Sequence, residues 1–290
     1  MSNKTDEIKV SVICTCFNHE KYIKDALESF VNQKTSFKYE VIVHDDASTD
    51  KSQDIIREYE KKYPDIIKPV YQTENQFSKG VKYVIEYMLP KASGKYFAFC
   101  EGDDYWTDSE KLQKQVDFLE LHPEFGACVH NTEFEYMSDG KVEVKFPLYD
   151  REITLEDVFC EDKKYHTSSL MVKRELYIER APWVLMIRGV GDLPSAIFYT
   201  ASSRVMYLGE VMSHYRCCVP GSWTAKNKNS VTKQITNRKN LIAMLTAANN
   251  FYNNKYEKVL KKQILIHRFG IVKGYIKMIL HTFKLKKDKE

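Results

Sequence analysis

Short apolar runs alternate with amphipathic stretches through the first 125 residues. Residues 9–16 (KVSVICTC) are β-branched and apolar enough for a buried strand, and residues 17–20 supply the turn after it. Ile23, Leu27, Phe30 and Val31 then recur at helical spacing to about Gln33. Residues 39–44 predict a second strand, followed by the polar run 45–50, in which Asp50 with Gln53 is placed to cap a helix whose face is Ile55, Ile56, Tyr59 and Tyr63. Residues 67–71 predict a third strand, 72–80 a polar loop and 81–89 a helix. The run 96–100 predicts a fully buried strand that stops at Glu101, Gly102, Asp103 and Asp104. Behind it, Thr107 and Glu110 form a capping box for a helix bearing Leu112, Val116 and Leu119, which ends before Pro123.

Strand and helix alternating in this way predict a doubly wound, mostly parallel sheet with right-handed crossovers. The carboxyl ends of its strands share one edge, where open α/β sheets bind ligands, and that edge collects Thr15, Asp46 and Asp103/Asp104. Carboxylate oxygens are hard ligands suited to Mg²⁺ or Mn²⁺, and an ion held by one or two of them keeps positions open for a substrate's phosphates. A polar turn with a helix cap is the plain alternative for any Asp-Asp pair. No G-x-G-x-x-G follows the first strand and no G-x-x-x-x-G-K-[ST] occurs, which disfavours a dinucleotide site and a P-loop.

Beyond Pro123 the alternation loosens. Residues 127–131 and 141–146 predict strands joined in a hairpin through Ser138-Asp139-Gly140, and 168–172 another, preceded by His166-Thr167. Residues 188–192 form a Gly-rich turn into a helix over 193–200, 205–208 and 213–217 predict short strands, and 219–228 a mobile loop. From about Val231 the pattern is helical to the end, with apolar positions such as Ile264, Phe269, Val272, Ile276 and Ile279 among many lysines.

The charge is divided unevenly. From Lys255 onward there are eleven Lys or Arg against three Asp or Glu, a local +8 that leaves −4 for residues 1–254 out of a net +4. A basic amphipathic helix of this kind either packs on its own domain or lies on an anionic membrane surface. No window approaches the roughly 20 apolar residues of a membrane span, and the N-terminus lacks the apolar region of a signal peptide. Seven cysteines, an odd number mostly inside apolar runs, predict reduced, buried thiols in a cytosolic protein. Basic and aromatic residues do not interleave as a nucleic-acid groove requires.

Three stretches, VSVICTCFNHEKYIKDALESFVNQ, YEVIVHDDASTDKSQDII and GKYFAFCEGDDYWTDSEKLQKQVDFLELHPE, resemble in order and spacing the family 2 glycosyltransferases of GT-A fold, above all bacterial enzymes of capsule, O-antigen and other surface-polysaccharide assembly. The likeness is continuous over about residues 8–125, with a weaker echo to about 225 in GVGDLPSAIF and VMSHYRCCVPGSW. It implies a GT-A domain over 1–228, with a nucleotide-binding half at about 8–125 and a smaller mixed acceptor half at about 126–228, then a basic helical extension over 229–290. It also implies that Thr15 and Asp46 hold the uracil and ribose of a nucleotide-sugar, Asp103 the sugar or ribose, and Asp104 a Mn²⁺ or Mg²⁺ ion. Asp192 matches the catalytic base, and the loop with Arg216 and Trp223 a segment that closes over the donor. Two positions depart from the family: Lys79-Gly80-Val81-Lys82 stands where an Arg-Asn pair is common, and Cys217 or Cys218 where a His often follows the Tyr-Arg pair.

The implied activity is inverting, metal-dependent transfer of a sugar from a nucleoside diphosphate, expected to be UDP, to a hydroxyl of a glycan or lipid-linked acceptor, at the cytoplasmic face of the membrane. One proton acceptor, Asp192, opposite the leaving group suffices for a single displacement. A nucleotidyltransferase and a non-catalytic nucleotide-sugar or carbohydrate-binding protein on the same scaffold are the competing readings. Among residues nearby, Asp45 is expected to cap its turn, His19, His130 and His166 to be packed and hydrogen-bonded, Glu101 to support the metal from behind, Trp106 to stack on a sugar, and Arg216 to clamp a diphosphate.

Overall fold

The computed structural model describes residues 7–185, 192–219 and 230–287, the last seven of these by backbone alone. The chain divides into two compact units, Met1–Glu179 with Tyr199–Cys217, and Arg180–Phe198 with Cys218–Glu290.

The first unit is built on one mixed sheet. Strands β1 (Ile8–Cys16), β2 (Lys38–Asp45), β3 (Ile67–Tyr71) and β4 (Tyr96–Phe99) lie side by side in the order β3-β2-β1-β4, all parallel. Helices α1 (Ile23–Val31), α2 (Ser52–Lys62) and α4 (Lys111–Leu121), with the single turn α3 (Gln76–Lys79), fill the connections. The sheet continues through β9 (Met171–Lys173), antiparallel to β4, to β6 (Phe125–Tyr136) and β10 (Arg204–Cys217), and β5 (Tyr105–Trp106) closes the edge against β10. Two short strands, β7 (Val142–Val144) and β8 (Arg151–Glu152), pair with β6 and β10, and α5 (Arg174–Ile178) follows β9. Because β6 and β10 are parallel to each other and both relate to β4 through β9, their carboxyl ends point the same way as those of β1, β2 and β4.

Core residues such as Val12, Cys14, Leu27, Phe30, Val43 and Leu119 are at most 1% exposed, and β-branched strand faces meet the apolar stripe of α1 and α4. Strands β1 and β2 and the loop before β4 are also laced by a buried carboxylate: Glu40 accepts from the Ser11 hydroxyl at 2.7 Å, the Ser93 N–H at 2.7 Å and the Ser93 hydroxyl at 2.8 Å. Gly94 donates to Ser11 Oγ at 2.8 Å, and a Cβ there would stand 2.4 Å from the Ser11 nitrogen, so the close approach admits glycine alone.

Several local expectations give way to longer-range contacts. The capping boxes do not form. Gln53 reaches Asp45 Oδ1 at 2.7 Å while Asp50 accepts from Ser52 and Glu20, and α4 begins at Lys111 with Asp108, not Thr107, accepting the Glu110 N–H. The predicted helix at 81–89 is a π turn, Val84–Met88, running into a 3-10 turn, Leu89–Lys91. The strands expected at 205–208 and 213–217 are one, β10, bulged between Leu208 and Val211 and between Val211 and Ser213. The expected strand over 168–172 opens as a 3-10 turn, Thr167–Ser169.

The second unit is helical: α6 (Leu193–Ser202) enters from it, and α7 (Val231–Phe251) and α8 (Glu257–Lys287) form an antiparallel pair. Trp183 is buried against Phe198 and Tyr252, both at 6.4 Å between ring centres. Every described cysteine is a free thiol, and five of the seven are buried. Burial pushes Cys16 and Cys128 up to about 12. No helix among the described residues is long and apolar enough to cross a membrane.

One core side chain is out of keeping with its surroundings. Lys111 is fully buried, its Nζ has no hydrogen-bond partner among the described residues, and it sits 3.9 Å from the centre of the Trp106 ring. Burial drives its amine down to about 7. Between that value and the ordinary lysine range near 10.4, the unfolded chain holds a proton that the folded chain lacks, so stability rises with pH across that window and is lowest below it. Lys111→Met is therefore expected to gain about 1–3 kcal/mol at pH 6, as buried charge-to-apolar replacements do, and less at pH 9.5. Urea denaturation at both pH values checks this; an equal effect at the two would contradict it.

Candidate active site

The parallel strands deliver two turns to one edge, and the turns hold each other. Asn18 after β1 and Ala47 after β2 both take left-handed backbone conformations, φ 57° and 61°. Across the gap, Asn18 N–H donates to Ser48 Oγ at 2.9 Å, Thr49 N–H to Asn18 Oδ1 at 2.8 Å, Glu20 N–H to Asp50 Oδ2 at 3.0 Å and Lys51 N–H to Glu20 Oε2 at 3.2 Å. Asp45 caps its own turn, as expected, accepting the Ser48 N–H at 2.9 Å. Asp46 is 4% exposed, and its two oxygens accept the N–H groups of Gln76 at 2.6 Å and Phe77 at 3.0 Å. Its carboxylate thus fixes the loop after β3 to the edge, and each oxygen keeps a second lone pair for a ligand.

The acid turn is pressed onto this frame. Gly102 N–H donates to the Thr15 carbonyl at 2.9 Å, and a Cβ at Gly102 would lie 2.9 Å from Ile23 Cδ1 and 3.1 Å from His19 Nδ1. The side chains of Glu101, Asp103 and Asp104 present oxygens within 4.8 Å of one another. Asp104 is fully buried: Oδ1 accepts the Arg216 backbone N–H at 3.0 Å, whereas Oδ2 has no hydrogen-bond partner among the described residues. Burial, with Asp103 and Glu101 beside it, holds the Asp104 carboxyl well above the usual carboxylate range. Asp103 Oδ2 stands 3.9 Å from His19 Nε2.

The mixed half of the sheet supplies the counterweight. Strand β10 pairs with β5 in the register Ser213–Trp106 and His214–Tyr105, and this carries Arg216 onto the acid turn. Its Nη1 donates to the Asp103 carbonyl at 3.0 Å and its Nη2 to Asp25 Oδ2 on α1 at 2.5 Å, with the Tyr105 ring 4.7 Å and the Tyr22 ring 5.2 Å away. With a side chain 11% exposed, Arg216 braces the acid turn against α1; in this arrangement its donors face protein groups, not the open position expected of a diphosphate clamp. On the same face of β10, His214 stacks on Tyr105 at 4.9 Å between Glu133 at 2.9 Å and Glu135 at 3.0 Å.

His130 and His166 are packed: His130 Nδ1 lies 2.8 Å from the Asn131 carbonyl, and His166 lies over Tyr215 at 3.9 Å, held down to about 3 by burial. Trp106 cannot stack on a sugar, being 4% exposed, edge-on to Phe30 and donating to the Ser168 carbonyl at 2.8 Å. Thr15, Asp46, Asp103 and Asp104 lie at the carboxyl edge of the parallel strands, and β10 brings Arg216 onto the acid turn from the mixed half. Asp192 belongs to the second unit: it is exposed, in the turn that opens α6, and its carbonyl accepts the Ala196 N–H at 3.0 Å. Trp223 lies outside the described residues. Sequence reasoning missed Asp25, Tyr105 and His214; the only trace was the period-two spacing of Glu133 with Glu135 and of His214 with Arg216.

Three carboxylates crowded together, one of them buried with an unbonded oxygen, are a costly arrangement that a hard divalent cation relieves, and the all-oxygen donor set fits Mg²⁺ or Mn²⁺. Residues 11–180 match the family model Glycosyl transferase family 2.

The chain belongs to glycosyl transferase family 2. Uncharacterized protein Rv1520 of Mycobacterium tuberculosis is 34% identical to this family 2 chain over 223 residues, 74% of the chain and 60% of the relative, so the chain spans under two thirds of that protein's length. TuaG of Bacillus subtilis, named for teichuronic acid biosynthesis, is 38% identical over 110 residues, 38% of the chain and 41% of TuaG. Among solved structures, S. aureus TarS 1–349 in complex with UDP-GlcNAc superposes with a TM-score of 0.60 at 19% identity, over 84% of the chain and 67% of that one. That likeness fixes the GT-A fold.

The brace makes a prediction. Asp25 is half exposed, so its ion pair with Arg216 is screened and contributes little stability. Removing it, however, frees the guanidinium to turn its charge on Asp103 and Asp104. Asp25→Asn is expected to weaken Mn²⁺ binding about tenfold, the low end for a partner one shell behind a ligand, with the circular dichroism spectrum unchanged. Titration followed by electron paramagnetic resonance measures it, and an unaltered Mn²⁺ affinity would refute the brace.

Proposed function

We propose that the chain is an inverting, metal-dependent glycosyltransferase that moves a sugar from a nucleoside-diphosphate donor, a UDP-sugar, to a hydroxyl of a glycan or lipid-linked acceptor in bacterial surface-polysaccharide synthesis. The observation that carries the reading is the buried, unbonded Oδ2 of Asp104 inside a three-carboxylate turn at the carboxyl edge of a parallel sheet. Family membership supports the reaction class, and the relative named for teichuronic acid biosynthesis supports the polymer class. A UDP-sugar in a neighbour of the same fold supports the donor. Residues 1–228 would form the transferase domain, with 229–290 as its extension.

In this reading Thr15 and Asp46 receive the nucleoside, Asp103 the ribose or sugar, and Asp104 with its neighbours a Mn²⁺ or Mg²⁺ ion. An ion held by these carboxylates would supply neutralisation of the charge that develops on the departing diphosphate. The acceptor oxygen attacks the anomeric carbon, and the bond to the diphosphate oxygen breaks with its electron pair leaving on the nucleoside diphosphate. Asp192 takes the hydroxyl proton. One displacement with one base inverts the anomeric configuration. Arg216 positions the acid turn, and Trp223 belongs to the loop assigned to cover the donor.

Purified protein with Mn²⁺ is expected to release UDP from a UDP-sugar, and Asp104→Ala and Asp192→Asn each to lower the rate by about 10²-fold or more. Asp192→Asn should keep its thermal shift with UDP, because the ligand stabilises the native form alone. Full turnover in either variant would overturn the site assignment.

A further inference from the structure

Helix α8 is packed on one face only. Leu260 is fully buried, a Cβ at Gly274 would stand 2.8 Å from Ile235 of α7, and Gly270 lies as closely under the Arg238 guanidinium. The opposite face carries Leu265, Phe269, Val272, Ile276 and Ile279, which are 51–67% exposed. They succeed one another at steps of four, three, four and three residues, and at 100° per residue fall within an arc of about 80°. Arg268 borders the stripe on one side, Lys273 and Lys277 on the other, all exposed.

Such spacing suits either a second helix or the plane of a lipid interface, and charge decides between them. In a helix pair, the positions flanking the seam face each other. Here those flanks hold Arg268 and Lys273 interleaved with Ile266, Tyr275 and Leu280, so a second copy would bring uncompensated cations to the rim of the seam. From Lys258 to Lys287 there is no Asp or Glu to offset them. An anionic bilayer answers both features: its acyl boundary takes the apolar arc while lysine and arginine stems extend to headgroup phosphates. The helix is not apolar enough to cross the membrane, so it would lie along it.

We propose that the exposed face of α8 docks in the plane of an anionic lipid surface, seating Leu265, Phe269, Val272, Ile276 and Ile279 at the acyl boundary with Arg268, Lys273 and Lys277 on the phosphates. Co-sedimentation of the full chain tests this, with vesicles of phosphatidylcholine alone and with about one third phosphatidylglycerol. Binding is expected to the anionic vesicles only, and to fall as salt rises from about 0.1 M to about 1 M, where the screening length drops from ~10 Å to ~3 Å. The double substitution Lys273→Gln/Lys277→Gln should weaken it about 25-fold, roughly fivefold per cation, and Phe269→Glu/Ile276→Glu should abolish it. All four side chains are exposed, so the variants are expected to keep the wild-type circular dichroism spectrum. The proposal fails if the protein ignores anionic vesicles, or if it binds neutral ones equally. It fails likewise if light scattering shows a dimer that Phe269→Glu/Ile276→Glu dissolves, which would make a second copy the occupant.

Discussion

A buried carboxylate with one oxygen bonded and the other bare is the constraint to which the first unit is fitted. Asp104 would be far cheaper to the fold in solvent, where water satisfies both oxygens; inside, desolvation and the neighbouring Asp103 and Glu101 all oppose its charge. Nothing within the acid turn offsets that. The stabilising contacts arrive from outside it: the Arg216 N–H on Oδ1, the guanidinium on the Asp103 carbonyl, and the Thr15 carbonyl on Gly102. The turn is thus held largely through its own carbonyl and N–H groups and Asp104 Oδ1, which leaves Asp104 Oδ2 for a ligand.

This explains the division of labour in the sheet. The parallel half, β3-β2-β1-β4, supplies acids at a common edge because parallel strands end together. The mixed half supplies the cation. Strand β10 needs its bulges between Leu208 and Ser213 to reach the register in which His214 meets Tyr105 and Arg216 meets the acid turn. Asp25 on α1 then fixes the far end of Arg216, so one guanidinium ties together three elements distant in sequence.

How much of this was legible depends on the range of the contact. The parallel strands were read to within a residue or two, because a buried strand announces itself by an unbroken apolar run. Asp104 as the metal candidate came from the family resemblance, since the residues alone left a polar turn with a helix cap as the plain alternative. Local rules failed where a distant partner outbid them. Gln53 forsakes its own helix cap for Asp45, and Asp46 caps the turn at Gln76 thirty residues away. The pattern at 81–89 fits a helix, yet the backbone there winds as a π turn that sets Tyr83 flat on buried His44, with ring centres 4.8 Å apart. Trp106 was misjudged because an aromatic side chain suits a ligand and a core equally, and only the β5–β10 pairing, which also brings Arg216 onto the acid turn, decides between them. Residue type gave no sign of that pairing.

The same ambiguity governs the C-terminal helices, and there the charges resolve it. Apolar residues distributed all round a helix ordinarily mean burial on all sides. In α8 the glycines at 270 and 274 allow α7 close to one face, and the exposed lysines forbid a protein core on the other, since burying an unpaired ammonium costs more than the neighbouring leucine or phenylalanine returns. Lys111 shows what that cost does in this molecule: a lysine driven to near-neutral pKa by burial over Trp106. A face that exposes Phe269 and Ile276 beside charged Lys273 and Lys277 suits the proposed lipid surface, which is apolar a few ångströms inside and anionic at its rim.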